Sequence, residues 1–240
     1  MIERLHGLSF FFPARDEELN VEPSVARALE VLPKYADRVE VTVVDDGSTD
    51  RTGEIADALA LADPRVKVVH HPHGRGYGGA VRAGLESATQ PFVGFTDGDQ
   101  QFDVADFDRL AAALRPGVDV VIGYRIERAD PWRRLLIAAV YNRVIRMLFA
   151  GGWRDVDCGF KLFRADVFDR VPLSRVRSNG AFFSAELLIN LRANGIVMRE
   201  VGLPHHPRLH HEPKGAPPKV IFKAIRDLLL LRLSLWLRPR

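Results

Sequence analysis

Two aspartates separated by one glycine follow an apolar run in the first half of the chain. They are Asp97 and Asp99, and Gln101 comes two residues later. Carboxylate and amide oxygens are the ligands that Mg²⁺ and Mn²⁺ prefer, and two acids leave coordination positions for phosphates or water. The spacing therefore predicts a divalent-cation site at these three residues. The alternative, acids that only form a turn or cap a helix, is preferred for the later Asp103.

Another pair of acids, Asp45 and Asp46, follows the second apolar run. A short carboxylate at such a position can accept a hydrogen bond from the N–H edge of a nucleobase or from a ribose hydroxyl. The alternative is a turn that ends in a helix cap, a role that suits the Ser-Thr-Asp segment that follows, so one acid of the pair is left for a ligand. A charged loop with Pro13, Arg15 and Glu17 follows the first apolar run, and we expect it on the same edge.

A glycine-rich segment, residues 74–79, matches the G-x-G-x-x-G pattern of dinucleotide-binding folds. It follows the third apolar run rather than the first, and the His-His-Pro-His segment before it is not a tight strand-to-helix turn. We therefore predict a loop whose glycines, including Gly76 and Gly79, let the backbone pass close to a nucleotide. A dinucleotide cofactor site of the Rossmann type is the alternative.

The apolar runs that precede these motifs are typical of strands buried on both faces of a sheet. The predicted strands are Leu8 to Phe12, Val39 to Val44, Val66 to Val69, Phe92 to Phe95, Val118 to Ile122 and Ile196 to Val201. Apolar residues at helical spacing lie between the first five of them. Strand and helix in alternation predict an α/β fold with a mostly parallel sheet flanked by helices, whose ligands bind at the carboxyl ends of the strands.

The pattern changes after Gly123. Long helices are predicted over 131–149, which is rich in arginine, over 182–193, and over 217–237. No Gly/Ser linker or low-complexity stretch divides the chain. We predict one domain over residues 1–216, with a nucleotide-binding half (1–124) and an acceptor half (125–216), followed by a basic amphipathic helix within 217–240.

The composition is that of an ordinary globular protein, with 47% hydrophobic and 27% charged residues in a chain of 240. A formal net charge of only +3 does not favour a protein that coats nucleic acid. The single cysteine, Cys158, excludes an intramolecular disulfide and a cysteine-rich zinc site, and favours a reducing compartment. The first 13 residues lack the features of a signal peptide, and no run is long and uncharged enough for a membrane span, so we expect a cytoplasmic protein.

In their order along the chain, the motifs resemble those of family 2 glycosyltransferases with the GT-A fold, in the branch of dolichyl-phosphate mannose synthase and bacterial polyprenyl-phosphate glycosyltransferases. The segments that carry the resemblance are residues 13–17, 43–50, 76–84, 97–101, 123–125 and 157–161. The resemblance covers about residues 6–215. It implies a Rossmann-like GT-A domain that transfers a sugar from a nucleotide-diphosphate sugar to a polyprenyl phosphate.

The resemblance also implies roles for individual residues. The nucleotide-binding set comprises Pro13, Arg15, Glu17, Asp45, Asp46, Gly76, Gly79 and Asp97. Asp97, Asp99 and Gln101 match the metal and diphosphate site. Arg125 and Arg134 match arginines that receive the lipid phosphate, and Arg208 and Lys214 match a late loop over the diphosphate. This chain departs from the family at Ala138, His211 and Pro213, and it lacks the Gln-x-x-Arg-Trp signature of processive synthases.

The resemblance implies inversion at the anomeric carbon by a single displacement. A lipid phosphate is already anionic, so it needs positioning by arginines rather than deprotonation by a base. A soluble alcohol acceptor would instead need a base such as Asp157 or Glu186; Glu186 is otherwise a surface residue. A sugar nucleotidyltransferase would share the sheet but should carry a Gly-rich basic loop after the first strand. A non-catalytic binder of membranes or nucleic acid would leave the Asp97 and Asp99 loop unexplained.

The segment 213–240 combines seven basic residues and one acid with many leucines. This composition predicts a helix that lies on an anionic membrane surface, although its leucines could instead pack on the catalytic domain or on a second subunit. The predicted partners are thus a nucleotide-diphosphate sugar, a polyprenyl phosphate and the cytoplasmic face of a membrane, with Mg²⁺ or Mn²⁺ as cofactor. A homo-oligomer is possible, and no nucleic acid is expected.

Overall fold

A computed structural model describes residues 4–126, 132–149, 152–208, 223 and 226–233, except for the side chains of 132–136. The strands are β1 (Leu8–Ala14), β2 (Val39–Asp45), β3 (Val66–His70), β4 (Phe92–Phe95), β5 (Val120–Ile126), β6 (Lys161–Arg164) and β7 (Met198–Pro204). The α-helices are α1 (Val21–Val31), α2 (Thr52–Ala62), α3 (Tyr77–Ser87), α4 (Phe107–Ala113), α5 (Trp132–Phe149), α6 (Val167–Arg170) and α7 (Phe183–Ala193). Residues 226–233 are also helical.

The strands form one sheet in the order β3-β2-β1-β4-β6-β5-β7. Neighbouring strands from β3 to β4 are parallel, as are β5 and β7, whereas β6 runs antiparallel to both β4 and β5. The predicted α/β class and mostly parallel sheet are confirmed. Strand β6 was not predicted from the sequence.

Two apolar clusters cover the two faces of the sheet. The side chains of β1 alternate between them: Phe10 and Phe12 pack with α1 and α4, and Phe11 packs with α3 and α7. All three rings are almost fully buried. Each contributes about 1.5–3 kcal/mol through burial, which explains why this strand is a continuous apolar run rather than an alternating one.

The helix at residues 226–233 presents different faces to the protein and to solvent. Leu228 and Leu231 are buried in the same cluster as Ile145 of α5. Leu229, Leu230 and Leu233 remain half exposed, at 58%, 56% and 50% of their surface. Most of the remaining predicted helix lies outside the described residues. No helix in the described part of the chain is both long and apolar enough to cross a bilayer.

Glu40 joins three strands near the amino edge of the sheet. Its carboxylate accepts hydrogen bonds from Ser9 Oγ (2.5 Å), Lys67 Nζ (2.6 Å) and Thr89 Oγ1 (2.7 Å). Burial alone would raise the pKa of Glu40, but these hydrogen bonds outweigh it and lower the pKa to about 2. The stabilisation is therefore complete above the ordinary pKa of about 4.5 and is lost as the pH falls toward 2.

We expect Glu40→Gln to lower the free energy of unfolding by about 1–3 kcal/mol at pH 7, because the buried Ser9 hydroxyl and the part-buried Lys67 and Thr89 donors lose a charged acceptor. The difference from wild type should shrink at pH 3.5. Urea unfolding at the two pH values measures both quantities, and Glu54→Gln, an exposed acid on α2, is the control. An equal loss at the two pH values would contradict the assigned role of the carboxylate.

Candidate active site

The carboxyl ends of β1, β2 and β4 bring acidic loops to one edge of the sheet. Glu17 follows β1, Asp45 ends β2 with Asp46 next to it, and Asp97 lies two residues beyond β4. The parallel direction of these strands places the three loops side by side. This is the edge at which the sequence predicted ligand binding.

Asp97 rests directly on the backbone of Gly159, in the loop before β6. A Cβ atom added at Gly159 would overlap the Asp97 carboxylate, so only glycine allows this approach. The Oδ1 atom of Asp97 is buried and has no hydrogen-bond partner among the described residues. Burial raises the pKa of Asp97, and the positive charge of Lys161 opposes this shift.

Lys161 is a fully buried cation behind this carboxylate. Its ammonium group donates a hydrogen bond to the carbonyl oxygen of Cys158 and lies 5.5 Å from the centroid of the Phe95 ring. Burial lowers the pKa of Lys161, while the surrounding acids, Asp97 among them, raise it. Lys161 belongs to one of the motifs that carry the family resemblance, but no role was predicted for it from the sequence.

Asp99 lies between its acidic neighbour Asp97 and an arginine. Burial, followed by the negative charge of Asp97, raises the pKa of Asp99 to about 6. Arg208 Nη1 lies 3.9 Å from Asp99 Oδ2, and Arg208 Nη2 donates a hydrogen bond to Glu17. The structure thus brings three of the predicted residues together across the edge, whereas Lys214 lies outside the described residues.

The two aspartates fit a divalent cation. Asp97 Oδ1 is buried and has no protein donor in the described part of the chain, and the negative charge of Asp97 acts on the neighbouring Asp99 carboxylate. Gln101 donates from its side-chain nitrogen to the carbonyl of His206 (3.3 Å), which leaves its amide oxygen as the atom able to bind a metal. These are only two acids: the described residues contain no group of three or more His, Cys, Asp or Glu side chains that could hold a metal.

Asp46 holds the glycine-rich loop. Its carboxylate accepts hydrogen bonds from the backbone N–H groups of Arg75 and Gly76, both at 2.8 Å, and lies 2.7 Å from His71 Nδ1. Asp45 accepts a hydrogen bond from the Ser48 N–H (2.9 Å). Much of the acceptor capacity of both acids is therefore used within the protein, so either acid can offer a nucleotide only its remaining lone pairs.

The glycine-rich segment lies in a loop that is longer than a tight strand-to-helix turn, as the sequence indicated. Six residues separate the end of β3 from the start of α3, and Gly76 has a φ of +84°. The Arg15 side chain lies against Gly74, and Gly79 lies against Arg75. Arg15 and Gly76 therefore lie on the same edge as Asp46, whereas Pro13 is a partly exposed residue of β1 just before the loop.

Arg125 is held by an acid that no sequence motif indicated. Its Nε and Nη2 atoms donate to the two carboxylate oxygens of Asp155 at 2.6 and 2.7 Å. Burial would lower the pKa of Arg125, but Asp155 raises it. This fork fixes the guanidinium plane at the end of β5. Arg134 lies on α5, and its side chain is outside the described part of the structure.

The chain matches the model of the family described as glycosyl transferase family 2 over residues 9–171, which is more than half of its length. It is a family 2 glycosyltransferase. The resemblance predicted from the motifs is thereby confirmed, and so is the prediction that the protein is an enzyme.

This glycosyltransferase is similar to several curated proteins. It is 34% identical to the polyprenol monophosphomannose synthase of Mycolicibacterium smegmatis over 79% of this chain and 73% of that protein. It is 31% identical to the glycosyltransferase AglD of Haloferax volcanii, of which it covers 33%. It is 29% identical to the dodecaprenyl-phosphate galacturonate synthase of Rhizobium johnstonii, of which it covers 65%. The chain thus spans from a third to about three quarters of the length of these relatives.

Solved structures share the fold of this glycosyltransferase. The glucosyl-3-phosphoglycerate synthase of Mycobacterium tuberculosis, crystallised with Mn²⁺, uridine diphosphate and phosphoglyceric acid, superposes with a TM-score of 0.71. The match covers 98% of this chain and 80% of that one at 20% identity. The GT-A fold predicted from the sequence is confirmed.

The structure also tests the burial that the sequence predicted for Glu186 and Cys158. The expected surface position of Glu186 is wrong, because the residue is 4% exposed and its carboxylate accepts hydrogen bonds from the backbone N–H groups of Arg177 and Ser178. Its alternative contact with acceptor or sugar stays a prediction. Cys158 is a buried small residue, as predicted, and burial raises the pKa of its thiol to about 12.

Proposed function

We propose that this glycosyltransferase transfers a sugar from a nucleotide-diphosphate sugar to a polyprenyl phosphate, with inversion at the anomeric carbon. The observation that carries the proposal is the 34% identity with a polyprenol monophosphomannose synthase in a chain whose β4 edge combines Asp97, Asp99 and Arg208. Two further relatives are also named for transfer to a polyprenyl phosphate.

The donor nucleotide is assigned to the edge formed by the loops after β1, β2 and β3. Glu17, Asp46 and the glycine-rich loop are fixed there by hydrogen bonds within the protein. Preorganised groups of this kind bind a ligand without having to be ordered first. Pro13, Arg15, Asp45, Gly76 and Gly79 complete the set that we assign to the base, ribose and backbone contacts of the nucleotide.

Asp97, Asp99 and Gln101 would hold Mg²⁺ or Mn²⁺. Structures of the same fold contain either ion together with uridine diphosphate. When bound, the cation supplies positive charge next to the diphosphate that departs with negative charge. Arg208, which lies between Glu17 and Asp99, and Lys214 are assigned to the same leaving group.

Arg125 and Arg134 are assigned to the acceptor phosphate. Asp155 binds the Nε and Nη2 atoms of Arg125, so the guanidinium is oriented before the acceptor arrives. We assign its Nη1 atom, which has no hydrogen bond to a described residue, to an oxygen of the phosphate. The phosphate oxygen is anionic and attacks the anomeric carbon while the bond to the nucleoside diphosphate breaks. No protein base is needed for this step, which agrees with the use of Glu186 in binding backbone N–H groups.

The decisive test is an incubation of the full chain with a panel of sugar nucleotides and Mn²⁺ or Mg²⁺, with and without a polyprenyl phosphate. A glycolipid that forms only when the lipid phosphate is present supports the proposal. Transfer to a soluble alcohol or to phosphoglyceric acid instead would establish the alternative acceptor class. Absence of transfer to every acceptor, in a protein that binds nucleotide, would refute the proposed acceptor chemistry.

Arg134→Lys should raise the acceptor KM by about ten-fold, because lysine keeps the charge but loses the planar fork that binds a phosphate through two hydrogen bonds. The donor KM should change little. Steady-state kinetics with each substrate varied in turn separates the two constants. A larger change in the donor KM would show that the arginine belongs to the donor site.

We further propose that the enzyme contacts the cytoplasmic face of a membrane without spanning it. Ile137, Val140 and Met147 form a stripe on α5 and are 47%, 55% and 68% exposed. The exposed Arg143 and Arg146 lie on the same helix. Apolar residues flanked by arginines suit the boundary between acyl chains and anionic headgroups.

The exposed leucines of 226–233 form the second proposed contact. Leu228 and Leu231 anchor this helix to the domain, so its other face is free to present Leu229, Leu230 and Leu233, with Arg226 and Arg232 beside them. The buried pair also supports part of the alternative, in which these leucines pack on the catalytic domain. One face of this helix can therefore pack on the domain while the opposite face contacts the membrane.

Liposome sedimentation tests the membrane contact. Binding should increase with the fraction of anionic lipid, fall with salt, and drop about ten-fold in a Leu229→Ser/Leu233→Ser variant, since apolar area and charge both contribute. Leu61→Ser, at an exposed leucine on α2, is the control. Equal sedimentation of the double variant and wild type would rule out this helix as a contact.

A further inference from the structure

The geometry points to Glu186 as a positioning residue for the donor site: we propose that it fixes the glycine-rich loop through residues 177–179. This inference rests on the proposed function, because the loop is assigned to the donor nucleotide there. Glu186 itself lies on α7, in the acceptor half predicted from the sequence.

The Glu186 carboxylate binds two consecutive backbone groups. Oε1 accepts the N–H of Arg177 at 2.9 Å, and Oε2 accepts the N–H of Ser178 at 2.8 Å. Residue 186 is 4% exposed, and no cation among the described residues pairs with it. A buried carboxylate whose two oxygens bind neighbouring N–H groups determines the direction of the chain that follows.

The next residue, Asn179, touches the glycine-rich loop. Its carbonyl oxygen accepts the N–H of Gly78 at 3.1 Å. A Cβ at Gly76 would lie 2.8 Å from that oxygen, and a Cβ at Gly78 would lie 2.9 Å from the carbonyl carbon of Asn179. The two backbones are therefore in direct contact, and a side chain at either glycine would separate them.

Arg82 on α3 makes a second connection between the same two segments. Its Nη1 and Nη2 atoms donate to the carbonyl oxygens of Leu173 (2.6 Å) and Val176 (2.5 Å). The chain before α7 is thus attached to α3 below the glycine-rich loop and to the loop itself at Asn179. Glu186 fixes the next two residues, Arg177 and Ser178, to which Arg82 donates no hydrogen bond.

The glycine-rich loop is consequently connected to two buried carboxylates. Asp46 accepts hydrogen bonds directly from the N–H groups of Arg75 and Gly76. Glu186 is connected to the loop through Ser178 and Asn179. A change in either acid should alter the position of the loop, although only Asp46 belongs to the nucleotide half.

Hydrogen exchange measured by mass spectrometry tests this connection from Glu186 through residues 177–179 to the glycine-rich loop, which we call the relay, in the full chain. In Glu186→Gln the amide NH₂ replaces one acceptor, so exchange should become about ten-fold faster in peptides that cover 176–180 and also in those that cover 75–80. Peptides from β5 and β7 should not change. Glu54→Gln, an exposed first-turn acid on α2 that pairs with the side chain of Arg51, is the matched control.

Binding and kinetics give a second, independent readout. Glu186→Gln should raise the Kd of uridine or guanosine diphosphate, whichever wild type binds, by about ten-fold and should raise the donor KM, with the acceptor KM unchanged. In wild type, the same nucleotide should protect 176–180 from exchange as well as 75–80, because coupling is reciprocal. This measurement remains informative if the variant does not fold.

The outcomes separate this inference from the proposed function. Faster exchange confined to 176–180, or nucleotide protection confined to 75–80, would overturn the relay and leave the proposed function intact. Failure of wild type to bind any nucleoside diphosphate would refute the proposed function, while exchange in Glu186→Gln would still decide whether the acid fixes the loop.

Discussion

Asp99→Asn is expected to reduce kcat/KM by about 1000-fold, because the site loses a negative charge that we assign to a divalent cation beside the leaving diphosphate. Arg208 remains 3.9 Å from this position and cannot replace the missing ligand charge. Titration calorimetry of a nucleoside diphosphate, with and without Mn²⁺, should show that the metal-dependent part of the affinity is lost. Unchanged metal-dependent affinity would show that Asp99 is not a metal ligand.

Asp103→Asn is the matched control for this prediction. Asp103 lies four residues further along the chain, caps the turn before α4 by accepting the N–H of Ala105, and pairs with Arg27. Asparagine can still cap the turn. Activity close to that of wild type would show that the effect at Asp99 is not a general effect of removing acids from this loop.

Gly159→Ala is expected to lower kcat/KM by about 100-fold, since a misplacement of about 1 Å in an active site can have an effect of this size. The new methyl group would overlap the carboxylate of Asp97, which must then move. Steady-state kinetics and nucleotide titration measure the effect. Gly152→Ala is the control, because a Cβ at Gly152 would meet no atom within 4 Å.

A double-mutant cycle identifies the route of the Gly159 effect. If the methyl group acts by displacing Asp97, it should add little to the loss caused by Asp97→Asn, because the two changes affect one interaction. Additive losses would mean that Gly159 contributes through another contact. Full activity of Gly159→Ala would show that the site tolerates a shifted Asp97.

Strands β1 to β5 were predictable because each contains a short apolar run followed by turn residues. β6 was not, since it has only four residues and begins and ends with a cation, Lys161 and Arg164. Lys161 is nevertheless fully buried. A buried lysine is recognised only when the acids around it are known, and those acids come from separate segments of the chain.

The types of residue in the site were predictable, but their partners were not. The sequence placed Asp46 at a strand end, and the family resemblance singled out Arg125. Neither could indicate that Asp46 binds backbone groups about thirty residues away, or that Asp155 orients Arg125. Almost every residue has a backbone N–H group, so residue type does not show which of them binds Asp46. An acid in a long loop, such as Asp155, has no sequence spacing that identifies its partner. Tertiary structure decides both.

The antiparallel direction of β6 determines where the chain between β5 and β6 leaves and re-enters the sheet. β5 ends at Ile126 on the carboxyl edge of the sheet, and β6 begins at Lys161 on the same edge because it runs the opposite way. The last residue of β5 and the first residue of β6 therefore lie at the same edge of the sheet. Because both strand ends lie at one edge, the number of residues between them can change without reordering a strand, provided that the contacts of Asp155 with Arg125 and of Gly159 with Asp97 are kept.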